Sequence, residues 1–375
     1  MCEEEEEKQQ FVYVCHHDPN STGEGLGSHA RGTLYPLLRI ALHFGWKVHW
    51  DKTPTGLSEG NHRTEYANEL RHLGDWLGFE AVDFSTDNVV VRHVPIDLEQ
   101  DTRLGRILGH AGIVIQSIEE YCNERGGWDA FFEKTMGNEE NDQNVKAKTA
   151  FLVTLHGRFE YKDDPTWPVV EWMQDRGRQW RKEREQKSHS KATQAMERRI
   201  RIAVHIRVPE KYCDSAWKAA NAVIHPWNVL QQINVHLQSI KEEEEACQPL
   251  QLLVEVYTES AFGFDQYKFF RSALAKLQTA TQLKLYRQTP LLDTIQSMAT
   301  ADILIPASSF LSAFTVYFAS ALVLVPQEET RRTQYLAPHL AYAEIHPSFR
   351  IVKIEDDTCV RKELIELCCS FNKEK

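Results

Sequence analysis

The sequence predicts an α/β protein of two successive domains, each a mostly parallel sheet covered by helices on both faces. Three observations predict it. A chain of 375 residues exceeds what one ordinary core needs. Short apolar runs of strand type alternate with stretches of helical periodicity through both halves. Between the halves, residues 173–200 lose that rhythm and turn basic.

Residues 1–10 form an acidic polar tail, expected to be disordered. Phe11–Cys15 then reads as a strand, followed by a loop rich in Asp, Pro, Asn, Ser and Gly. Leu34, Leu37, Leu38, Ala41 and Leu42 recur at helical spacing, Gly45 stands where a C-cap glycine belongs, and residues 47–50 resume a strand. That is one βαβ unit. Further on, 66–77 and 104–109 read as helical, and 81–84, 89–94, 112–116 and 150–155 as strands. These elements make a first domain over residues 11–172. Ten Arg or Lys between Arg176 and Arg201, with few apolar neighbours, make 173–200 a solvated helical connector.

The second domain, 201–357, repeats the alternation. Strands are expected at 202–206, 252–257, 282–286, 302–306 and 321–326, and helices at 227–240, 267–278, 291–299 and 309–319. Residues 361–372, within a C-terminal segment 358–375, are expected as a closing helix that returns to the first domain. In sheets of this kind ligands bind outside the carboxyl ends of the strands.

Composition excludes some functions. Hydrophobic residues at 42% and aromatics at 10% suffice for two cores, against wholesale disorder. A net charge of −11 argues against a nucleic-acid partner, which needs a basic face. Nine of the acids lie in two solvated runs, Glu3 to Glu7 and Glu242 to Glu245. A single basic cleft for a phosphorylated ligand therefore remains compatible. The eight cysteines show no CxxC pair and no Cys/His spacing of a structural zinc site, so reduced thiols are expected. The acidic N-terminus is unlike a secretory signal, and no apolar run is long enough for a membrane span. The expectation is a cytoplasmic protein.

Four clusters carry candidate chemistry. His205-Ile206-Arg207 closes a strand, so His205 and Arg207 share one face, and a guanidinium suits two phosphate oxygens at once. The plain alternative is a surface arginine. Residues 302–310 run from a strand through Ser308 and Ser309 into a helix at Phe310, a terminus that favours anions, or merely a serine N-cap. Gly23, Gly25 and Gly27 alternate in the loop after the first strand, where a ligand can approach the backbone and Glu24 or His29 can accept a proton. The same glycines, with Asp51 as a ribose-binding acid, form a dinucleotide fingerprint. It matches poorly, because seven residues precede Gly23 and Ser28 stands where the third glycine belongs. Tyr257 and Glu259 end another strand and face the same crevice, where Glu259 holds a sugar hydroxyl or caps a helix. Cys15-His16-His17-Asp18 invites a metal, but adjacent histidines on a strand end point in opposite directions, so no metal site is expected.

Taken in order and spacing, these residues resemble the fucosyltransferase-like superfamily of GT-B type. That group includes the α1,2- and α1,6-fucosyltransferases, the Nod-factor fucosyltransferase and the protein O-fucosyltransferases. The resemblance rests on Gly23 to Arg31, Val204-His-Ile-Arg207, Val256-Tyr-Thr-Glu259, Asp293, Met298, Ala301-Asp302, Ser308-Ser309-Phe310 and Pro326. It implies two Rossmann-like domains facing across a cleft. It implies that Arg207 binds the donor β-phosphate with His205 beside it, and that Ser308, Ser309 and Phe310 hold phosphate oxygens. Asp293 or Asp302 would meet the guanine edge. Glu24 would serve the reacting hydroxyl, with Gly25, Gly27 and His29 on the donor side. Two departures leave acceptor and donor sugar open: Val208-Pro209-Glu210 stands where many members have a second arginine followed by Gly-Asp, and Ser28-His29 replaces an asparagine.

The implied activity is inverting, metal-independent transfer of fucose from GDP-fucose, or of another sugar from its nucleotide, to a glycan or protein hydroxyl, with no cofactor. Two alternatives stand beside it: a non-catalytic glycan- or protein-binding relative, and an NAD(P)-dependent oxidoreductase.

Overall fold

A computed structural model describes residues 11–15, 26, 30, 34–50, 72–79, 89–97, 115–116, 119–120, 148–156, 165–189, 199–207, 216–243, 251–258, 268, 271–272, 274–277, 281–287, 289–307, 309–325, 336–346 and 349–373. The chain divides into two compact units, Met1–Val169 and Val170–Lys375.

In the first unit β1 (Phe11–Cys15) leads through α1 (Tyr35–Phe44) to β2 (Lys47–Trp50). Tyr35, Leu37, Leu38, Ile40 and Ala41 bury one face of α1. Gly45 ends it in the left-handed region at φ 67°, its N–H donating to the Ala41 carbonyl. After α2 (Leu73–Leu77), β3 (Val89–Asp97) and β4 (Lys148–His156) complete a four-stranded sheet of order β2-β1-β4-β3. Every pairing in it is parallel. The strand expected at 112–116 is corrected: Ile115 and Gln116 are helical, and the Gln116 amide donates to Glu120, one turn on, at 2.7 Å. The expected elements at 81–84 and 104–109 lie outside the described residues.

α3 (Trp167–His189) starts three residues before the division and runs into the second unit, where β5 (Arg199–Ile206), α4 (Ala216–Glu243), β6 (Gln251–Thr258) and β7 (Thr281–Arg287) follow. Then come α5 (Leu291–Ala299), β8 (Ile303–Ile305), α6 (Phe310–Phe318), β9 (Leu322–Val325), α7 (Ala337–Ile345), β10 (Ile351–Lys353) and α8 (Asp357–Lys373). The six strands are parallel in the order β10-β9-β8-β5-β6-β7. Numbered within the unit, that is 3-2-1-4-5-6 read from β7, the doubly wound order of a dinucleotide-type sheet. Strand order reverses between β5 and β8.

Alternation gives this sheet two unlike faces. Ile200, Ile202, Val204 and Ile206 of β5, Leu252, Val254 and Val256 of β6, and Ile303 and Ile305 of β8 join one apolar core. It is covered by Val229, Leu230, Ile233, Leu237 and Ile240 of α4 and by Val360, Leu364, Leu367 and Cys368 of α8. The closing helix is therefore committed to the second unit's own core. Its start at Asp357 precedes the expected 361.

The basic helix is corrected too. Val169, Val170, Met173, Gln174, Gly177 and Trp180 of α3 are buried, so it is packed rather than a solvated connector. Gln174 donates to the carbonyls of Tyr317 at 2.8 Å and Ala319 at 3.2 Å, closing the end of α6. At Gly177 the helices touch backbone to backbone, where an added Cβ would stand 1.8 Å from the Phe318 carbonyl oxygen. Arg181 and Arg184 reach Asp302 and Thr300 beside the sheet, while Arg176 and Arg178 bond within the helix to Gln179 and Asp175. Among the described residues no helix is long and apolar enough to cross a membrane.

Candidate functional site

On β5, β6 and β7 the second face of the sheet carries a cluster of polar residues, whereas on β8 and β9 it is apolar, with Leu304, Val323 and Val325 buried. A closed network starts at Arg201 near the amino end of β5 and runs along β6 and β7 to Tyr257 and Tyr286, level with His205. Arg201 of β5 pairs with Glu255 of β6, which is 2% exposed; its Nε donates at 3.1 Å and its Nη2 also reaches the same carboxylate oxygen. Tyr257 donates to Glu255 at 3.3 Å and shares a 2.7 Å hydrogen bond with Ser297. Tyr286 donates to the second Glu255 oxygen at 3.2 Å and stacks on Tyr257 at 4.9 Å between centroids. Burial, then the Glu255 charge, raises both phenols above their ordinary value, so they remain protonated donors.

Asp302 belongs to this closed end. It lies just before β8, where one carboxylate oxygen accepts from the Arg201 backbone N–H at 2.8 Å and the other from Arg181 of α3 at 2.5 Å. Arg184 adds a 3.0 Å hydrogen bond to Thr300. Two expected ligand contacts are therefore reassigned. Asp302 sits at the amino end of its strand with both oxygens engaged, the wrong end for a guanine edge. Tyr257 is 2% exposed, with its hydroxyl turned into the network, so it does not face an acceptor.

The carboxyl ends differ. β5 closes on His205, Ile206 and Arg207, and β8, its neighbour across the reversal, leads through Pro306 and Ala307 to α6. Ser309 is the N-cap of α6; its extended backbone (φ −156°, ψ 153°) turns the hydroxyl oxygen back to accept the Ser312 N–H at 3.1 Å. Ser312 in turn places its Oγ 2.6 Å from Nδ1 of His205 and accepts the Ala307 N–H at 2.9 Å. The end of β5 and the first turn of α6 are thus joined by one buried hydrogen bond.

His205 is 3% exposed. Burial, with the Arg207 charge as the second cause, pushes its pKa down to about 4, so the ring is neutral near pH 7. Arg207, half-buried, is close enough for its charge to act on that ring. A fixed cation and a positively polarised helix terminus therefore flank the strand reversal, an arrangement suited to a phosphate or carboxylate.

The structure thus groups His205, Arg207, Ser309 and Phe310. Asp293 is exposed in the first turn of α5, which starts after the carboxyl end of β7, so it stands on this same side of the sheet. Glu24, Gly25, Gly27, His29, Glu259 and Ser308 lie outside the described residues. Ser312 escaped the sequence reading. The available signal was a serine three residues after a serine N-cap, a polar position inside the otherwise apolar helix FLSAFTVYF.

Comparison with known proteins adds the following. No protein-family model and no curated sequence matches the chain. Among solved structures, similarity extends to MurG of Acinetobacter baumannii, with 11% identity, 96% of this chain and 94% of that one covered, and a TM-score of 0.27. For the trehalose-6-phosphate synthase OtsA the identity is 10%, the coverage 96% and 91%, and the TM-score 0.31. For the glycosyltransferase SnogD from Streptomyces nogalater they are 10%, 98% and 100%, and 0.21. Two parallel-sheet α/β units in succession are consistent with a GT-B type fold.

Proposed function

We propose that the chain is a glycosyltransferase that takes its donor as a nucleoside-diphosphate sugar and holds the diphosphate at the β5–β8 reversal. One observation carries this reading: the 2.6 Å His205–Ser312 hydrogen bond, which ties the strand end bearing Arg207 to the N-terminus of α6. A fixed cation and a helix terminus brought to one place are what a departing diphosphate requires. The resemblance to fucosyltransferases favours GDP-fucose as donor and a glycan or protein hydroxyl as acceptor.

In the proposed reaction the acceptor oxygen attacks C1 of the donor sugar from the face opposite the diphosphate. The C1–O bond breaks, its electron pair passes to the β-phosphate oxygen, and the anomeric configuration inverts. Arg207 and the α6 terminus take up the leaving charge without a metal, while the acceptor proton passes to Glu24. Asp293 is the acid offered to the guanine edge.

The test is calorimetry of the chain against a panel of nucleoside diphosphates, followed by transfer assays with Arg207→Ala. GDP should bind in preference to UDP, ADP and NAD(P), with or without a chelator. Removing the guanidinium should lower turnover by about 10²–10³, as loss of one preorganised oxyanion donor does. Near-wild-type turnover in Arg207→Ala would refute the assignment.

A further inference from the structure

We propose that Ser312 is a positioning residue that locks His205 as the Nε2–H tautomer, so that a neutral imidazole donates to a phosphate oxygen of the nucleoside diphosphate beside Arg207. The ligand half rests on the function proposed above; the tautomer half stands on hydrogen-bond bookkeeping alone.

Ser312 is 1% exposed, and two contacts fix its oxygen. Its own amide N–H is held by Ser309 Oγ at 3.1 Å, and its Oγ accepts the Ala307 N–H at 2.9 Å. That leaves the hydroxyl proton, which needs an acceptor because it is buried. Among the described residues the acceptor in reach is Nδ1 of His205, 2.6 Å away. Were Nδ1 protonated instead, Ser312 Oγ would accept twice and its own proton would be stranded in a dry interior. Nδ1 therefore accepts, and the single proton of the neutral ring sits on Nε2.

Nε2 makes no hydrogen bond to any described residue, although the side chain is 3% exposed. The fold thus orients an N–H that keeps a narrow opening to solvent and no described partner, next to an arginine, at the reversal where a diphosphate is proposed to lie. Burial and the neighbouring guanidinium keep the ring uncharged, so it acts as a directed donor rather than a second cation. A phosphate oxygen meets that need, because a charged acceptor repays the desolvation of an N–H better than a neutral one.

The experiment is NMR of the full chain with 15N-labelled histidine rings at neutral pH, alone and titrated with GDP. The free protein should show His205 protonated at Nε2 and bare at Nδ1. GDP should move the Nε2–H resonance, and Ser312→Ala should scramble the tautomer and weaken GDP about 2-fold for an even mixture, whereas His205→Phe, which removes the donor, should weaken it about 10-fold or more. A proton on Nδ1 in the free wild-type chain overturns the tautomer assignment whether or not Ser312→Ala folds. GDP that binds without moving Nε2–H overturns the ligand half and leaves the proposed function standing. Failure of the wild type to bind GDP removes both that function and the ligand half, while the free spectrum still decides the role of Ser312.

Discussion

The two faces of the second unit's sheet solve different problems with the same strands. On one face β5 presents Ile200, Ile202, Val204 and Ile206 to a dry core under α4 and α8. On the other, alternate residues of the same strand are Arg201, His205 and Arg207. The polar face divides again along the strand. Arg201 is satisfied by Glu255 and by the Thr300 carbonyl, at 3.2 Å for the latter, whereas His205, further along the strand, is held by Ser312 through one ring nitrogen, and the half-buried Arg207 follows it. A strand can thus carry structure at its amino end and recognition at its carboxyl end, with both on one face.

The largest expected effect lies at the closed end. Glu255→Ala leaves Arg201 buried without its partner and removes the acceptor of two tyrosines, at an expected loss of about 3–5 kcal/mol in urea unfolding. The double variant Arg201→Met, Glu255→Leu should recover much of it, because an apolar pair leaves no uncompensated charge. A loss below about 1 kcal/mol for Glu255→Ala would place that network on the same footing as an exposed ion pair.

The open end should answer to pH instead. Folding depresses the His205 pKa from 6.5 to about 4. Above pH 6.5 folded and unfolded rings are both neutral, and the group costs nothing. Between 6.5 and about 4 only the unfolded chain binds the proton, so stability falls with pH, by ~3 kcal/mol in all, and no further below that window. Because carboxylates titrate nearby in pH, the readout is the difference between wild type and His205→Gln. The wild-type advantage at pH 7 should shrink by that amount at pH 4.

The helix that roofs the polar face supplies a smaller test. Gly177→Ala must push α3 off the Phe318 backbone, because carbonyl oxygen rather than a flexible side chain meets the new methyl. Overpacking of this kind costs typically about 1–3 kcal/mol. An unchanged midpoint in denaturant would show that α3 is not seated there.

How much of this was legible in the sequence follows from which signals are local. The βαβ rhythm of both halves, the Gly45 cap and the carboxyl-end positions of Arg207 and Ser309 are local, and the structure bears them out. The packing of α3 was not. Its buried stripe includes Gln174 and Gly177, residues that look neutral in any hydropathy pattern yet fit because α6 offers bare carbonyls to one and a close backbone to the other. Asp302 misled for a related reason. An acid beside a strand reads alike at either end, and only the partners Arg181 and Arg201, 121 and 101 residues away, reveal that it is structural. α7 and β10 are not legible: α7 is as long as α5 and α6, but its sequence APHLAYAEI mixes polar and apolar residues without one clear apolar stripe, and β10 follows it with only three residues. Ser312 acts through a histidine 107 residues earlier, a distance no local pattern spans.

The most direct measurement of the central claim is a crystal structure of the chain soaked with GDP. The expected result is a diphosphate within hydrogen-bond reach of the Arg207 guanidinium and the first turn of α6, with the guanine toward Asp293. A diphosphate bound elsewhere, with Arg207 and residues 309–312 untouched, would contradict it.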